Sequence, residues 1–181
     1  ETVVPAGIST TFGCGGGGGG STSIPTPTVV VSGQVTYDRV PVTDNGLDYL
    51  NVEQKPVRRA YVVALASSNG AILESTYTDN SGNYTLDVPA PLSVKISVYS
   101  LSQLPTIRVQ DNFTFEDGQF AVYTMESAAF TTVEGENVTK NLNADSGYNS
   151  STSKLGANDR VAAPFAILDT CLLSADFFLA N

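Results

Sequence analysis

Between Val29 and Leu142 the chain repeats one pattern at short intervals: a run rich in Val, Ile, Thr and Tyr, then a cluster of Gly, Pro, Asn, Asp or Ser. Punctuation this dense leaves no room for helices of ordinary length and suits strands joined by tight turns. The runs predicted as strands are 29–37, 57–66, 71–78, 84–88 and 92–100, followed by shorter ones at 106–109, 113–115, 121–124, 129–133 and 137–142. The segment 92–100 alternates apolar and polar residues cleanly, as expected for one buried and one solvated face. The run from Ala60 to Ala66 is apolar throughout and suits burial on both faces. Gly33, inside the first strand, marks a bulge or a close backbone approach. A mainly β, antiparallel, immunoglobulin-like sandwich over residues 29–142 is the expected fold.

The flanks differ from this body. Residues 1–28 hold a β-prone start, six consecutive glycines at 15–20 and a Pro/Thr stretch, which reads as an extended arm on a tether. Residues 143–159 read as a polar linker. From 160 to 181 the period changes: Ala163, Ile167, Leu168, Cys171, Leu172, Ala175, Phe178 and Leu179 recur at three- and four-residue steps, predicting one apolar helical face with Pro164 in the first turn. No uninterrupted apolar stretch reaches the roughly 18–20 residues of a membrane span, so no membrane insertion is expected. The start lacks the charged and apolar regions of a signal peptide and reads as a terminus left by processing.

Charge and composition narrow the chemistry. Nine Lys+Arg against eighteen Asp+Glu give a net charge of −9, which opposes binding to nucleic acid or anionic membrane surfaces. The chain contains no histidine, so Ser-His-Asp and Cys-His catalysis, His-ligated zinc and His-ligated haem are excluded within it. Lys95, Lys140 and Lys154 pair with no evident nucleophile. No catalytic residue and no cofactor is expected. The two cysteines, Cys14 and Cys171, form no CxxC or metal-ligand spacing. They read either as a disulfide, within one chain or between subunits, or as two unrelated thiols.

Three stretches taken together, Val31-Ser-Gly-Gln-Val-Thr-Tyr-Asp-Arg-Val-Pro41, Pro56-Val-Arg-Arg-Ala-Tyr-Val63 and Tyr77-Thr-Asp-Asn-Ser-Gly-Asn-Tyr-Thr-Leu86, resemble the transthyretin-like, carboxypeptidase-regulatory-like β-sandwich. With Val138-Thr-Lys-Asn-Leu-Asn143 and Arg160-Val-Ala-Ala-Pro-Phe-Ala-Ile-Leu-Asp169, the likeness extends to the N-terminal part of large secreted bacterial proteins in which such a module precedes a zinc-metallopeptidase-like domain. The catalytic half and its HExxH-type helix are absent from this sequence. The resemblance implies a secreted or cell-surface module, with a metallopeptidase-like domain of the same precursor as one partner.

Candidate sites are few. Asp79, Asn80 and Asn83 could belong to a calcium loop, but Asp79 and Gly82 also suit a hairpin turn, which is the favoured reading. Asp38, Asp44, Asp48 and Glu53 could gather Ca²⁺ in an acidic loop, although a solvated loop is the plainer expectation. Arg58-Arg59 reads as edge-strand charge. Asn83, Asn112, Asn137 and Asn149 head glycosylation triplets. The expected function is that of a non-catalytic secreted subunit that self-associates, through Thr2, Val3, Val4, Ile8 and Phe12 of the arm and Phe165, Ile167, Leu168, Leu172 and Phe178 of the helix. The arm would add a strand to a neighbour's sheet edge. The alternative is an accessory module cut from a metallopeptidase-like precursor.

Overall fold

The computed structural model describes residues 26–116, 118–156 and 161–180. Of the arm expected over 1–28, residues 1–25, including Thr2, Val3, Val4, Ile8, Phe12 and Cys14, lie outside the described residues, and Thr28 already belongs to the first strand. Strands follow in the order β1 (Thr28–Arg39), β2 (Val42–Thr43), β3 (Gly46–Leu47), β4 (Glu53–Pro56), β5 (Ala60–Ala66), β6 (Ile72–Tyr77), β7 (Asn83–Pro89) and β8 (Leu92–Gln103). Shorter ones succeed them: β9 (Thr106–Arg108), β10 (Gln110–Glu116), β11 (Gln119–Val122), β12 (Thr124–Glu126), β13 (Phe130–Thr132), β14 (Val138–Thr139), β15 (Leu142–Ala144), β16 (Tyr148–Asn149) and β17 (Lys154–Leu155). One helix, α1 (Ala162–Leu179), ends the described chain.

Two larger sheets carry the body. In the first, β1 is central and changes partners at its midpoint. Its first half pairs antiparallel with β7, Thr28 opposite Pro89 through Gln34 opposite Asn83, and parallel with β14. Its second half pairs antiparallel with β4 and parallel with β15. In the second sheet, β8 pairs with β5 along one edge and with β13, β12 and β9 in turn along the other, while β6 borders β5. Most pairings are antiparallel, and β1 supplies the parallel ones.

Period-two patterning explains the core. Val31, Val35 and Tyr37 of β1, Tyr84, Leu86 and Val88 of β7, and Val94, Ile96 and Val98 of β8 all point into one cluster shared by the two sheets. The apolar run of β5 is split as its sequence requires. Val62 and Ala64 enter that cluster, whereas Val63 and Leu65 join Tyr99 in a second one on the opposite face, against Tyr61, Leu101 and Val122.

Gly33 sits where the 138–143 segment runs parallel alongside β1: Lys140 N donates to Ser32 O at 2.7 Å, and Tyr84 Oη donates to Lys140 O at 2.6 Å. A Cβ at Gly33 would collide with the Lys140 carbonyl, so the close approach expected from the sequence is real. Residues 145–156, within the stretch read as a polar linker, contain the β16–β17 hairpin, and Asp145 O accepts from Ala162 N at the start of α1.

Candidate functional site

The most elaborate side-chain arrangement holds α1 to the body. Arg58 and Arg59 follow Val57 between β4 and β5. Arg58 Nε donates to Asp169 Oδ1 at 2.7 Å, and its Nη2 makes an ionic contact with the same oxygen at 2.6 Å. Tyr37 Oη donates to Asp169 Oδ2 at 2.8 Å. Arg59 grips Asp176 with both terminal nitrogens, at 2.8 and 2.9 Å, while its Nε donates to Asn80 Oδ1 at 3.1 Å. To reach that position Arg59 adopts φ 53°, a left-handed conformation uncommon for a residue with a side chain. The hydrogen bonds from Arg59, and then the charges of both arginines, hold the Asp176 carboxyl below its ordinary range. Burial first, and then Asp169, push the Tyr37 phenol above its ordinary value.

This clamp sets the rotation of the helix. Ala162, Pro164, Phe165, Leu168 and Leu172 are buried, and α1 packs against β1, β8 and β9. The expected face ran from Ala163 through Cys171 to Leu179. The buried face is turned from it by roughly a quarter of the helix circumference, at 3.6 residues per turn. The reason is that Asp169 and Asp176, seven residues apart and hence on one flank, must face the arginines. Phe165, Leu168 and Leu172, read as assembly residues, therefore belong to the chain's own core. Ile167 and Phe178 stay exposed, at 52% and 77%, and Cys171 lies exposed between them. Together they form one apolar strip along the outer side of α1. The sequence expectation placed no membrane span in this chain. Yet α1 is long and apolar enough by length and composition to cross a membrane, with 28% of it buried against the body.

The strip and the start of the described chain lie at opposite ends of β1. Pro27 O accepts from Ala90 N at 2.9 Å and Thr28 faces Pro89, whereas Tyr37, near the far end, meets Asp169 of α1. At about 3.3 Å per residue, Thr28 and Tyr37 are about 30 Å apart.

The acidic candidates are engaged locally. Asp79 Oδ1 accepts from the Ser81 and Asn83 backbone N–H groups at 2.7 and 2.8 Å, and these bonds hold its carboxyl below the ordinary range. Gly82, at φ 79°, closes that turn, and a Cβ there would strike Val35 O. Asn83 donates to Asp79, and Asn80 is taken by Arg59. Asp38 accepts from Asn143 Nδ2 and Ser146 N, Asp48 from Leu50 N and Asn51 Nδ2, and Glu53 pairs with Lys55, while Asp44 is exposed. Among the described residues no group of three or more His, Cys, Asp or Glu converges to hold a metal ion. Of the glycosylation triplets, the Asn137 side chain accepts from Val30 N, whereas Asn112 is exposed.

An open cleft of about 1090 Å³ lies between β12, β15 and the β16–β17 hairpin, with Tyr148 stacked on Tyr49 at its wall. Its polar groups are largely spent within the fold. Glu126 accepts from Ser97 Oγ and Lys95 Nζ, Asn143 bridges Thr36 and Asp38, and Lys140 Nζ sits 4.5 Å from the centre of the Phe130 ring.

No family model and no curated protein matches the chain. Among solved structures, a 9R-lipoxygenase from Cyanothece PCC8801 aligns at TM-score 0.36 and 10% identity, covering 80% of this chain and 21% of that one. This chain therefore spans about a fifth of the lipoxygenase. A candidate carbohydrate binding protein from Pseudomonas aeruginosa aligns at TM-score 0.34 and 11% identity, covering 68% of this chain and 92% of that one. At these scores neither likeness bears on activity.

Proposed function

We propose that the chain is a transthyretin-like, carboxypeptidase-regulatory-like sandwich that serves as a non-catalytic structural subunit, secreted or held at the cell surface, joining copies of itself head to tail through its terminal segments. One observation carries this reading: the described chain starts at one end of β1, and the exposed strip of α1 is anchored at the other. A contact between two different surfaces at opposite ends repeats without closing unless a rotation intervenes, and so builds filaments. The ion pairs of Arg58 and Arg59 support it by making α1 a rigid platform rather than a loose tail.

A complementation experiment tests the reading. A chain lacking residues 1–25 keeps the strip and loses the arm, whereas Phe178→Glu keeps the arm and charges the strip. Each alone should run as a monomer, and an equimolar mixture should give one-to-one dimers on size exclusion with light scattering. A mixture that stays monomeric would overturn the head-to-tail reading and leave the strip to a domain of a larger precursor.

A further inference from the structure

We infer that the cleft beside β12 and β15 receives an extended peptide strand of a partner, which pairs through its main chain with the free edge of β15. This site is separate from the α1 strip and stands whether or not copies join through that strip. β15 is the outer strand of the first sheet on one side of β1, and β12 is an outer strand of the second sheet beyond β8. The cleft of about 1090 Å³ is lined by residues of both, so it opens where the two sheets end beside each other. Register shows which main-chain groups face outward there. Val35 donates to Gly82 O and accepts from Val57 N, so it is turned away from β15. Its neighbour Thr36 is turned toward β15, where it stands opposite Asn143. In a parallel ladder such a residue bonds the two that flank its partner, here Leu142 and Ala144. The N–H and C=O of Asn143 therefore point away from β1, out of the edge of the sheet.

The opposite wall repeats the arrangement. Ser127 N donates to Ile96 O and Ser100 N to Tyr123 O, so the bonded pairs with β8 fall on residues 123, 125 and 127. Glu126 lies between them, and its N–H and C=O point outward. No strand pairs with either edge among the described residues. What the cleft leaves open selects the ligand. The side chains that a sugar would need are taken: Glu126 accepts from Ser97 and Lys95, and Asn143 bonds both Thr36 and Asp38. Unpaired main chain and an apolar floor remain. Met125 and Leu142, core residues each 8% exposed, supply that floor. An extended peptide uses both features at once, with N–H and C=O groups along one edge and alternate side chains turned to the floor. The ligand class is thus a strand with an apolar residue at every second position.

The test uses the ¹⁵N-labelled full chain and a short capped peptide that alternates threonine and valine between terminal lysines. A copy of the peptide methylated on every main-chain nitrogen keeps the side chains and cannot pair. In the free chain the Asn143 and Glu126 amides should exchange fast, whereas the Met125 amide, bonded to β8, should exchange slowly. Saturating peptide should slow exchange at Asn143 by about tenfold, the scale of one net hydrogen bond, and leave Met125 unchanged. The methylated copy should not bind. Asn143→Ala and Asn143→Pro both remove the side chain, and only the second removes the outward N–H, which β1 does not use. The alanine variant should keep the peptide, and the proline variant should bind it at least about tenfold more weakly while its amide spectrum stays dispersed. Should the proline variant not fold, the exchange data and the methylated copy still decide. An Asn143 amide already protected in the free chain, binding that spares it, equal binding of the methylated copy, or no binding would each overturn the proposal.

Discussion

At the scale of single residues, the fold depends on places where a side chain cannot be accommodated. At Gly33 the backbone of β1 passes so close to Lys140 that any Cβ would overlap the carbonyl to which Tyr84 donates. Gly33→Ala must either push the 138–143 segment off β1 or lose that hydrogen bond, and overpacking of this kind costs about 1–3 kcal/mol. Urea denaturation should show a lower midpoint with an unchanged slope. An unchanged midpoint would mean that the contact between β1 and the 138–143 segment is looser than described. Arg59 is the converse case, a residue held in a left-handed conformation because its guanidinium gains two bonds to Asp176 and one to Asn80. The sequence marked Gly33 as a special position through its place inside a strand. Nothing local marked Arg59, because its partner Asp176 is 117 residues away.

At the scale of elements, strands were the most legible part of the chain. Alternation identified Val94, Ile96 and Val98 of β8 as inward, but the opposite face expected to be solvated is buried from Ser97 to Ser100, with Tyr99 in the second cluster, whereas the unbroken apolar run of β5 anticipated its two buried faces. The helix was legible in extent but not in rotation. Its apolar residues nearly encircle it, so periodicity alone did not define a face, and the two aspartates decided the outcome by pairing with Arg58 and Arg59. The short hairpin of β16 and β17 escaped notice because it buries too little to impose a pattern. The clamp also gives α1 a pH dependence with a definite sign. Asp176 has its carboxyl held low in the folded chain, so its contribution is full above the ordinary Asp value of about 3.9 and is lost as pH falls through the depressed folded value. Amide-exchange protection of α1 should therefore decline below about pH 4. In Asp176→Asn that protection should already be reduced at neutral pH, with a flatter acid limb. Equal acid responses in the two proteins would contradict the role given to the clamp.

At the scale of the whole molecule, the main point is polarity. The long central strand β1 separates the start of the described chain from the helix it supports, and the helix keeps Ile167, Leu173, Phe178 and Leu179 exposed after its core contacts are made. An apolar surface of this kind on a firmly held element marks a contact site more often than an accident of folding. Of the helix residues read from the sequence as contacts with another copy, Ile167 and Phe178 are exposed, whereas Phe165, Leu168 and Leu172 are claimed by the core. The most direct measurement is the mass of the native full chain by light scattering across a wide concentration range, with negative-stain microscopy of the same samples. The head-to-tail account predicts mass rising with concentration and elongated, unclosed particles. A constant mass of 19.0 kDa at every concentration would contradict it.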